Sequence, residues 1–377
     1  MSLSGNGREK GPEIVVITGA TAGVGRATVR EFARNGAHIA LLARGREGLE
    51  GARRDVEETG GRAITIECDV ADPGAVEAAA ERVESELGPI DVWVNNAMAS
   101  VYGPFVEMSL EDFKRITEVT YLGQVYGTKA ALKRMIPRNR GTIVQVSSAL
   151  GFRSIPLQSA YCGAKHAVDG FTESLRTELL HMGSDVHVSV VALPGVNTPQ
   201  FEWTKNIMHK EGQPVGKIYQ PEVPARAIYY AAHHRRKQIL VGYPTVESLV
   251  GERVNSELLD HYLADKAWNG SLSDIPHDPS KPGNLYHPMD QDRDMGAHGR
   301  FDRRATSHSL QLWMNLNRNW LALAGAGAAI ALGAVLAGRK ATSRRSSSWI
   351  PEFDGHKPAT RLRDFAQGVE TMVRSHT

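Results

Sequence analysis

A short apolar run followed by a glycine-rich loop is the feature that most constrains this chain. Residues 14–18 read IVVIT, a β-branched stretch typical of a strand buried on both faces. A helical stretch to about residue 35 and a second apolar strand at 38–42 follow the loop. Such a loop lets the backbone approach a pyrophosphate at the positive N-terminus of the helix. The spacing TGxxxGxG fits the generic GxGxxG fingerprint loosely, so an ordinary turn is the alternative.

The chain continues to about residue 245 as an alternation of predicted strands and helices. Further strands are predicted near 62–67, 90–94, 141–147, 186–192 and 238–242, and helices near 73–87, 119–136, 159–181 and 222–234. This alternation is typical of an α/β fold with a doubly wound parallel sheet. We therefore predict a Rossmann fold with helices on both faces.

Ser148, Tyr161 and Lys165 are the strongest candidates for chemistry. Tyr161 and Lys165 are four residues apart in a helical stretch, so they share one face. An ammonium beside a phenol favours the phenolate and lowers the phenol pKa from about 10 towards neutrality. Ser148 ends an apolar strand, where its hydroxyl is placed to bind the substrate oxygen that Tyr161 protonates. The three residue types together predict acid–base chemistry on a carbonyl.

Chance provides the alternative explanation of the Tyr–Lys spacing. A pair at this spacing is expected in roughly one such chain in three. Tyr262 and Lys266 are a second pair, but Leu249 stands where the serine would be needed. The pair at 161 and 165 gains its weight from the serine and from the glycine loop upstream.

Four motifs in the right order resemble the short-chain dehydrogenase/reductase family, over roughly residues 11–245. TGATAGVG resembles the cofactor loop of that family. CDV at 68–70 resembles its adenine-contacting turn, and NNA at 95–97 the motif that stabilises the sheet and borders the cofactor. PGVNTP at 194–199 resembles the segment that contacts the nicotinamide.

The resemblance implies a role for each matching residue. Tyr161 would exchange the proton with the substrate oxygen, Lys165 would tune Tyr161 and hold the ribose, and Ser148 would orient the oxygen. The cofactor-binding residues that it implies, besides Tyr161 and Lys165, are Thr18, Gly19, Gly23, Val24, Gly25, Asp69, Val70, Asn96, Pro194, Gly195, Val196 and Thr198.

The chain departs from the family pattern at two positions. Met98 stands where the family motif NNAG has a glycine, and its side chain would narrow the cofactor or substrate mouth or simply pack. Thr120 stands where the family often has an asparagine that holds a water for proton relay to the lysine. We retain Thr120 as a catalytic candidate, because its hydroxyl is able to replace the amide.

Arg44 favours NADP(H) over NAD(H). An NAD enzyme of this type usually carries an acidic residue at the end of the second strand to bind the ribose hydroxyls. Here Ala43 is followed by Arg44, and Arg46 is nearby. A guanidinium binds a 2′-phosphate with two hydrogen bonds, and no carboxylate follows the strand to repel it. A solvated arginine without a ligand is the alternative.

Composition excludes several other classes. The formal net charge of +2, from 44 basic and 42 acidic residues, gives no reason to expect nucleic acid. Two cysteines, Cys68 and Cys162, are too few for a disulfide framework or a metal cluster, and no metal is predicted. The first thirteen residues have no apolar core, so they are not a signal peptide.

The chain is longer than the family core needs, and we divide it into five parts. The predicted parts are a polar tail at 1–10, the catalytic domain at 11–245, an arm or linker at 246–310, a membrane helix at 311–340 and a basic tail at 341–377. Within the third part, residues 269–309 are rich in Pro, Gly, Asp and His, and we call them the arm. Aromatic residues favour an arm that docks on the core or on a partner subunit over a free linker.

Residues 320–338 read WLALAGAGAAIALGAVLAG and carry no charge. Nineteen residues are long enough to cross about 30 Å of hydrocarbon, and small residues recur at four-residue spacing. A buried helix in an oligomer interface is the alternative. The basic flank after residue 338 favours a cytoplasmic C-terminus, whereas the need for NADPH favours a cytoplasmic catalytic domain on the other side of the span. A single span conflicts with one of the two.

The sequence predicts an NADP-dependent oxidoreductase acting between an alcohol and a ketone. The segment 199–221, which covers the substrate in the family, has an apolar side that suits a bulky, non-polar substrate. Its apolar residues are Phe201, Trp203, Ile207 and Met208. We expect a cytoplasmic, membrane-associated homo-oligomer. A non-catalytic NADPH sensor or scaffold at a membrane is the alternative, and isomerase or dehydratase chemistry also stays open.

Overall fold

A parallel sheet of seven strands forms the centre of the computed structural model, which describes residues 11–322 and 324. The strands are Ile14–Thr18 (β1), His38–Ala43 (β2), Ala63–Glu67 (β3), Val92–Asn95 (β4), Thr142–Ser148 (β5), His187–Leu193 (β6) and Gln238–Leu240 (β7). Their order is β7-β6-β5-β4-β1-β2-β3, and every neighbouring pair is parallel. The predicted doubly wound sheet is confirmed.

Helices cover both faces of this sheet, and further helices follow it along the chain. They are Gly23–Arg34 (α1), Arg46–Glu57 (α2), Pro73–Glu86 (α3), Leu110–Thr117 (α4), Gly123–Met135 (α5), Ser159–His181 (α6), Glu222–His233 (α7), Tyr243–Val254 (α8), Ser256–Gly270 (α9) and Leu310–Leu316 (α10). The alternation along β1 explains the layers, since Val15 and Ile17 enter the cluster under α1 and α7, whereas Ile14 and Val16 enter the cluster under α3 and α5.

The arm docks on the core, as one of the two sequence-based alternatives expected. Leu272–Pro276 pairs antiparallel with Lys210–Gly212, and Ala305–Thr306 pairs parallel with Ile218–Tyr219. Between these two pairings the backbone runs back towards β2, where the side chain of Leu285 is buried in the core cluster beneath α3. Proline and glycine do not make the arm a free linker, because its backbone groups find partners on the core.

The chain divides into two compact units, Met1–Asn317 and Arg318–Thr377. All that follows concerns the first unit, and the five predicted boundaries stay predictions. Within the described residues, no helix combines the length and the apolar character that a membrane span requires. The predicted span at 320–338 lies, apart from residues 320–322 and 324, outside those residues.

Candidate active site

A cavity of about 810 Å³ opens where the carboxyl ends of the parallel strands meet. This edge of a doubly wound sheet is where such folds bind ligands, because the loops after the strands diverge there. Most of the predicted site residues line the cavity. They are Gly19, Gly23, Val24, Gly25, Arg44, Asp69, Val70, Asn96, Ser148, Tyr161, Lys165, Pro194, Gly195, Val196 and Thr198.

The loop between β1 and α1 has a backbone that requires glycine. Gly19 and Gly23 have φ angles of 65° and 56°, in the left-handed region. A Cβ on Gly25 would lie 2.0 Å from the carbonyl oxygen of Gly19. Glycine therefore lets this loop, the glycine cradle, pack tightly against the first turn of α1. The cavity opens at this helix N-terminus, where an anion is favoured.

Thr18 does not line the cavity, and its cofactor-binding role stays a prediction. Its hydroxyl accepts hydrogen bonds from the backbone amides of Asn96 (2.9 Å) and Ala97 (3.1 Å). The Asn96 side-chain amide in turn donates to the carbonyls of Thr18 (3.0 Å) and Gly19 (3.2 Å). Thr18 thus joins β1 to β4 and fixes the Asn96 side chain behind the glycine loop.

Ser148, Tyr161 and Lys165 come together at one wall of the cavity. Ser148 ends β5, and its side chain is hydrogen-bonded to the Tyr161 hydroxyl. The Lys165 ammonium nitrogen lies 5.6 Å from the centre of the Tyr161 ring and donates a 2.7 Å hydrogen bond to the carbonyl of Val146. One strand and the helix that follows it therefore assemble the whole group.

The electrostatics of this group differ from the sequence-based expectation. Burial raises the pKa of Tyr161 above the ordinary value, and the hydrogen bond from Ser148 opposes this only partly. Burial also lowers the pKa of Lys165 to about 8, against the attraction of Asp169. We expected the ammonium to lower the pKa of the phenol, and this was wrong, because desolvation has the larger effect on the pKa of Tyr161.

Asp169 is a charged neighbour that the sequence analysis missed. It follows Lys165 by four residues on α6, accepts a 3.0 Å hydrogen bond from the Ser147 hydroxyl, and has a pKa that burial raises to about 7. Its Oδ1 has no hydrogen-bond partner among the described residues. The four-residue spacing after Lys165 was the available signal, since it places both side chains on one face of the helix.

Thr120 does not line the cavity. It is fully buried in a π-helical turn, Glu118–Leu122, where its hydroxyl donates to the Ala99 carbonyl (2.8 Å) and accepts from the Ala99 amide (2.9 Å). Both hydrogen-bonding functions of the hydroxyl are thereby used to hold the backbone next to Met98, whose side chain does line the cavity. The relay role of Thr120 stays a prediction.

Arg44 and Asp69 lie at the end of the cavity remote from Tyr161. Arg44 donates to three backbone carbonyls of the arm, and burial lowers its pKa although nearby carboxylates oppose the change. Burial would raise the pKa of Asp69, but an ion pair with Arg115 outweighs it and holds this pKa below the usual range. Arg46 does not line the cavity, and its Nε lies 3.2 Å from Oε1 of Glu67 on the surface.

The premise that no carboxylate lies near the end of β2 was wrong. Asp290 of the arm lies there, although it is 246 residues from Arg44 in sequence. A Cβ added to Gly45 or to Gly48 would lie 1.9 or 2.4 Å from its two carboxylate oxygens. Because Asp290 is so far from β2 in sequence, nothing in the sequence indicated that its carboxylate lies beside Arg44.

The opposite end of the cavity is mostly apolar. Phe201 and Trp203 line it as predicted, whereas Ile207 and Met208 do not. Helices α8 and α9 add a set of residues that the sequence analysis did not assign to a site. These are Tyr243, Pro244, Glu247, Ser248, Leu259, Tyr262 and Leu263, of which Glu247 and Ser248 are polar. Tyr262, whose spacing to Lys266 matched the motif by chance, thus lies in the cavity wall.

Comparison with known proteins gives the family. The chain matches the short chain dehydrogenase family over residues 13–207, more than half of its length. It is 32% identical over 292 residues to the uncharacterized oxidoreductase YxnA of Bacillus subtilis, covering 76% of this chain and 80% of the relative. It is also 34% identical over 222 residues to the 3-dehydrosphinganine reductase of Danio rerio, covering 57% and 66%.

Two solved structures have the same fold. An alcohol dehydrogenase from the archaeon Thermococcus sibiricus, complexed with 5-hydroxy-NADP, is 26% identical with a TM-score of 0.54. A metagenomic short-chain oxidoreductase in complex with NADP is 27% identical with a TM-score of 0.52. Each match covers 61% of this chain and 96% of the other. The chain belongs to the short-chain dehydrogenase family and is an oxidoreductase of that family.

Proposed function

We propose that this oxidoreductase uses NADPH to reduce the carbonyl group of a bulky apolar substrate to an alcohol. The observation that carries the proposal is the cavity itself. It joins the glycine cradle and Arg44 at one end to Ser148, Tyr161 and Lys165, and then to an apolar chamber at the other end.

The residues present fit NADP(H). The glycine cradle after β1 lines the cavity at the N-terminus of α1 with Gly19, Gly23 and Gly25, which carry no side chains, and this suits a pyrophosphate. Arg44 would hold the 2′-phosphate, and Asp69 and Val70 would border the adenine. Both solved structures described above contain NADP or a derivative of it. When bound, this cofactor supplies the hydride.

Tyr161 is suited to act as the acid in a reduction. Because burial raises its pKa, the phenol keeps its proton at neutral pH and is able to donate it to a carbonyl oxygen that gains negative charge. Ser148 would donate a second hydrogen bond to the same oxygen. Lys165 would stabilise the phenolate that remains, since its nitrogen lies 5.6 Å from the ring centre.

The chamber favours a bulky apolar substrate. Its wall combines the aromatic residues of the segment after β6 with those of α8 and α9. Burying apolar surface contributes about 25 cal/mol per Å² of substrate, so a long or ring-shaped substrate would bind more tightly than a small one. A reductase among the relatives agrees with carbonyl reduction.

The direct test is NADPH oxidation by the full chain with aldehydes, ketones and long-chain keto compounds. Tyr161→Phe should lower kcat by about 10²- to 10⁴-fold, because the general acid is removed, while NADPH binding persists. Tyr126→Phe, a tyrosine of α5 outside the cavity, is the matched control and should keep full activity. Full activity in Tyr161→Phe would refute the acid role.

The same test addresses the alternative function. Tight NADPH binding without turnover of any compound would favour a non-catalytic sensor or scaffold. Membrane association through 320–338, a cytoplasmic location and homo-oligomer formation stay predictions from the sequence.

A further inference from the structure

A segment of the arm forms the outer wall of the cavity beside Arg44. We call residues 284–296 the strap. Its Asn284, Pro288, Met289 and Asp290 line the same cavity as the glycine loop. The strap is held firmly, because the Leu285 side chain is only 1% exposed within the core.

Two further contacts tie the strap to the core. The backbone amide of Gly48, in the first turn of α2, donates a 3.1 Å hydrogen bond to the Asp290 carbonyl. Asp294 accepts hydrogen bonds of 2.9 and 3.1 Å from the guanidinium of Arg26, which is 2% exposed. A segment held at both ends by the core is a fixed part of the cavity wall.

Three strap carbonyls determine how the Arg44 guanidinium is oriented. Its Nη1 donates to the carbonyls of Leu285 and Tyr286 at 3.2 Å each, and its Nη2 donates to the carbonyl of Asn284. A guanidinium has five N–H groups, so Nε–H and one N–H of Nη2 are not used in these bonds. Those two nitrogens form the edge with which arginine binds a phosphate by two parallel hydrogen bonds.

The charge of Arg44 is not neutralised by direct pairing. Arg44 forms no ion pair with any described carboxylate, although Asp69 and Asp290 act on it electrostatically from further away. The three carbonyls satisfy hydrogen bonds but carry no net charge. A half-buried cation with two N–H groups that make no hydrogen bond among the described residues therefore favours an anionic group such as a 2′-phosphate.

Asp290 opposes this preference. Asp290 is 6% exposed, and its two oxygens lie against Gly45 and Gly48, one and four residues after Arg44. A carboxylate in this place repels a phosphate, whereas it is able to accept a hydrogen bond from a free ribose hydroxyl. The carboxylate also lies near the positive end of α2, so stabilising that helix is an alternative role.

We propose that Asp290, carried to the end of β2 by the strap, is a specificity-determining residue that limits the preference for NADPH over NADH set by Arg44. This inference rests on the proposed function, since it assumes that the adenosine end of a nicotinamide cofactor binds between Arg44 and Asp290. The negative charge of Asp290 would then oppose the positive charge of Arg44, although the two residues are 246 positions apart in sequence.

The experiment measures the dissociation constants of NADPH and NADH with the full chain by protein fluorescence. Asp290→Asn should raise the NADPH preference about tenfold, the size of one lost charge repulsion. Arg44→Ala should lower it by about ten- to a hundredfold. Both constants come from one sample, so a fraction of unfolded protein cancels in their ratio. Asp290→Ser replaces Asp290→Asn if the amide variant does not fold.

Asp292→Asn is the matched control, because Asp292 is an exposed carboxylate on the same strap. It should leave the preference unchanged. If Asp290→Asn behaves like this control while Arg44→Ala shifts the preference, Asp290 only stabilises α2 and the inference is overturned. If the wild-type chain binds neither nucleotide, the proposed function fails as well.

Discussion

The two ends of the cavity are built in different ways. Ser148, Tyr161 and Lys165 come from one strand and the helix that follows it, within eighteen residues of sequence. At the other end, Arg44 and Asp290 meet across 246 residues. The first arrangement follows from helical and strand periodicity alone, whereas the second depends on where a long arm docks. On the proposals above, local sequence spacing encodes the chemistry, and a tertiary contact adjusts the cofactor preference.

The largest expected effect concerns the end of the cavity formed by Ser148, Tyr161 and Lys165. Lys165→Met should lower kcat/KM by about 10²- to 10³-fold, because it removes the ammonium beside the Tyr161 ring that, on the proposed function, stabilises the phenolate left after proton donation. Lys266→Met is the matched control, since Lys266 follows Tyr262 at the same spacing and is 66% exposed. Steady-state rates with NADPH decide the outcome. Equal losses in both variants would mean that the spacing, and not the assembled group, matters.

The sheet and much of the end of the cavity around Tyr161 could be predicted from the sequence. Five of the seven strands are apolar runs buried almost throughout, whereas β3 and β7 are only partly buried. The predicted strand positions differ from the observed ones by two residues or fewer. The position of Asp169 beside Lys165 could also have been predicted, because Tyr161, Lys165 and Asp169 follow one another at four-residue spacing on α6. The direction of the Tyr161 pKa shift was missed, since desolvation depends on how the cavity is closed.

The remote end could not be predicted in the same way. The strap has no helical or strand periodicity, and its contacts with Arg44 are made by backbone carbonyls, which any sequence possesses. Gly45 and Gly48 gave an indirect signal at most. They leave room for the Asp290 carboxylate, but two glycines at the start of a helix do not identify what approaches them.

A second prediction concerns Asp169 and the pH dependence of stability. The folded state raises its pKa to about 7, so the folded chain binds a proton more tightly than the unfolded chain between about pH 4 and 7. Stability is therefore lost as the pH rises through this window, by at most about 1.4 kcal/mol per pH unit. Asp169→Asn should flatten this slope in urea denaturation, and Asp292→Asn should keep it. An unchanged slope in Asp169→Asn would contradict the assignment.

A third prediction concerns Asp294, which anchors the strap to the core. It separates the anchoring of the strap from the effect of Asp290 on the NADPH to NADH preference. Asp294→Asn removes one charged partner of the buried Arg26, which keeps Asp55, so we expect a loss of about 1 to 2 kcal/mol in the free energy of unfolding. Urea denaturation measures this loss. Affinity for NADPH and NADH should weaken together, leaving their ratio unchanged. A changed ratio would mean that the position of the strap, and not the charge of Asp290, sets the preference.

The smallest expected effect comes from Arg46, which lies two residues after Arg44 but was not assigned to the cofactor site. Its guanidinium is 69% exposed and pairs with Glu67, which is 53% exposed, so Arg46→Ala should change the free energy of unfolding by less than about 0.5 kcal/mol. The NADPH to NADH preference should stay within about twofold of the wild type, since Arg46 does not line the cavity and solvent screens its exposed charge. Titration of both nucleotides checks this. A loss as large as that of Arg44→Ala would show that nearness in sequence to β2, and not contact with the strap, selects the cofactor-binding arginine.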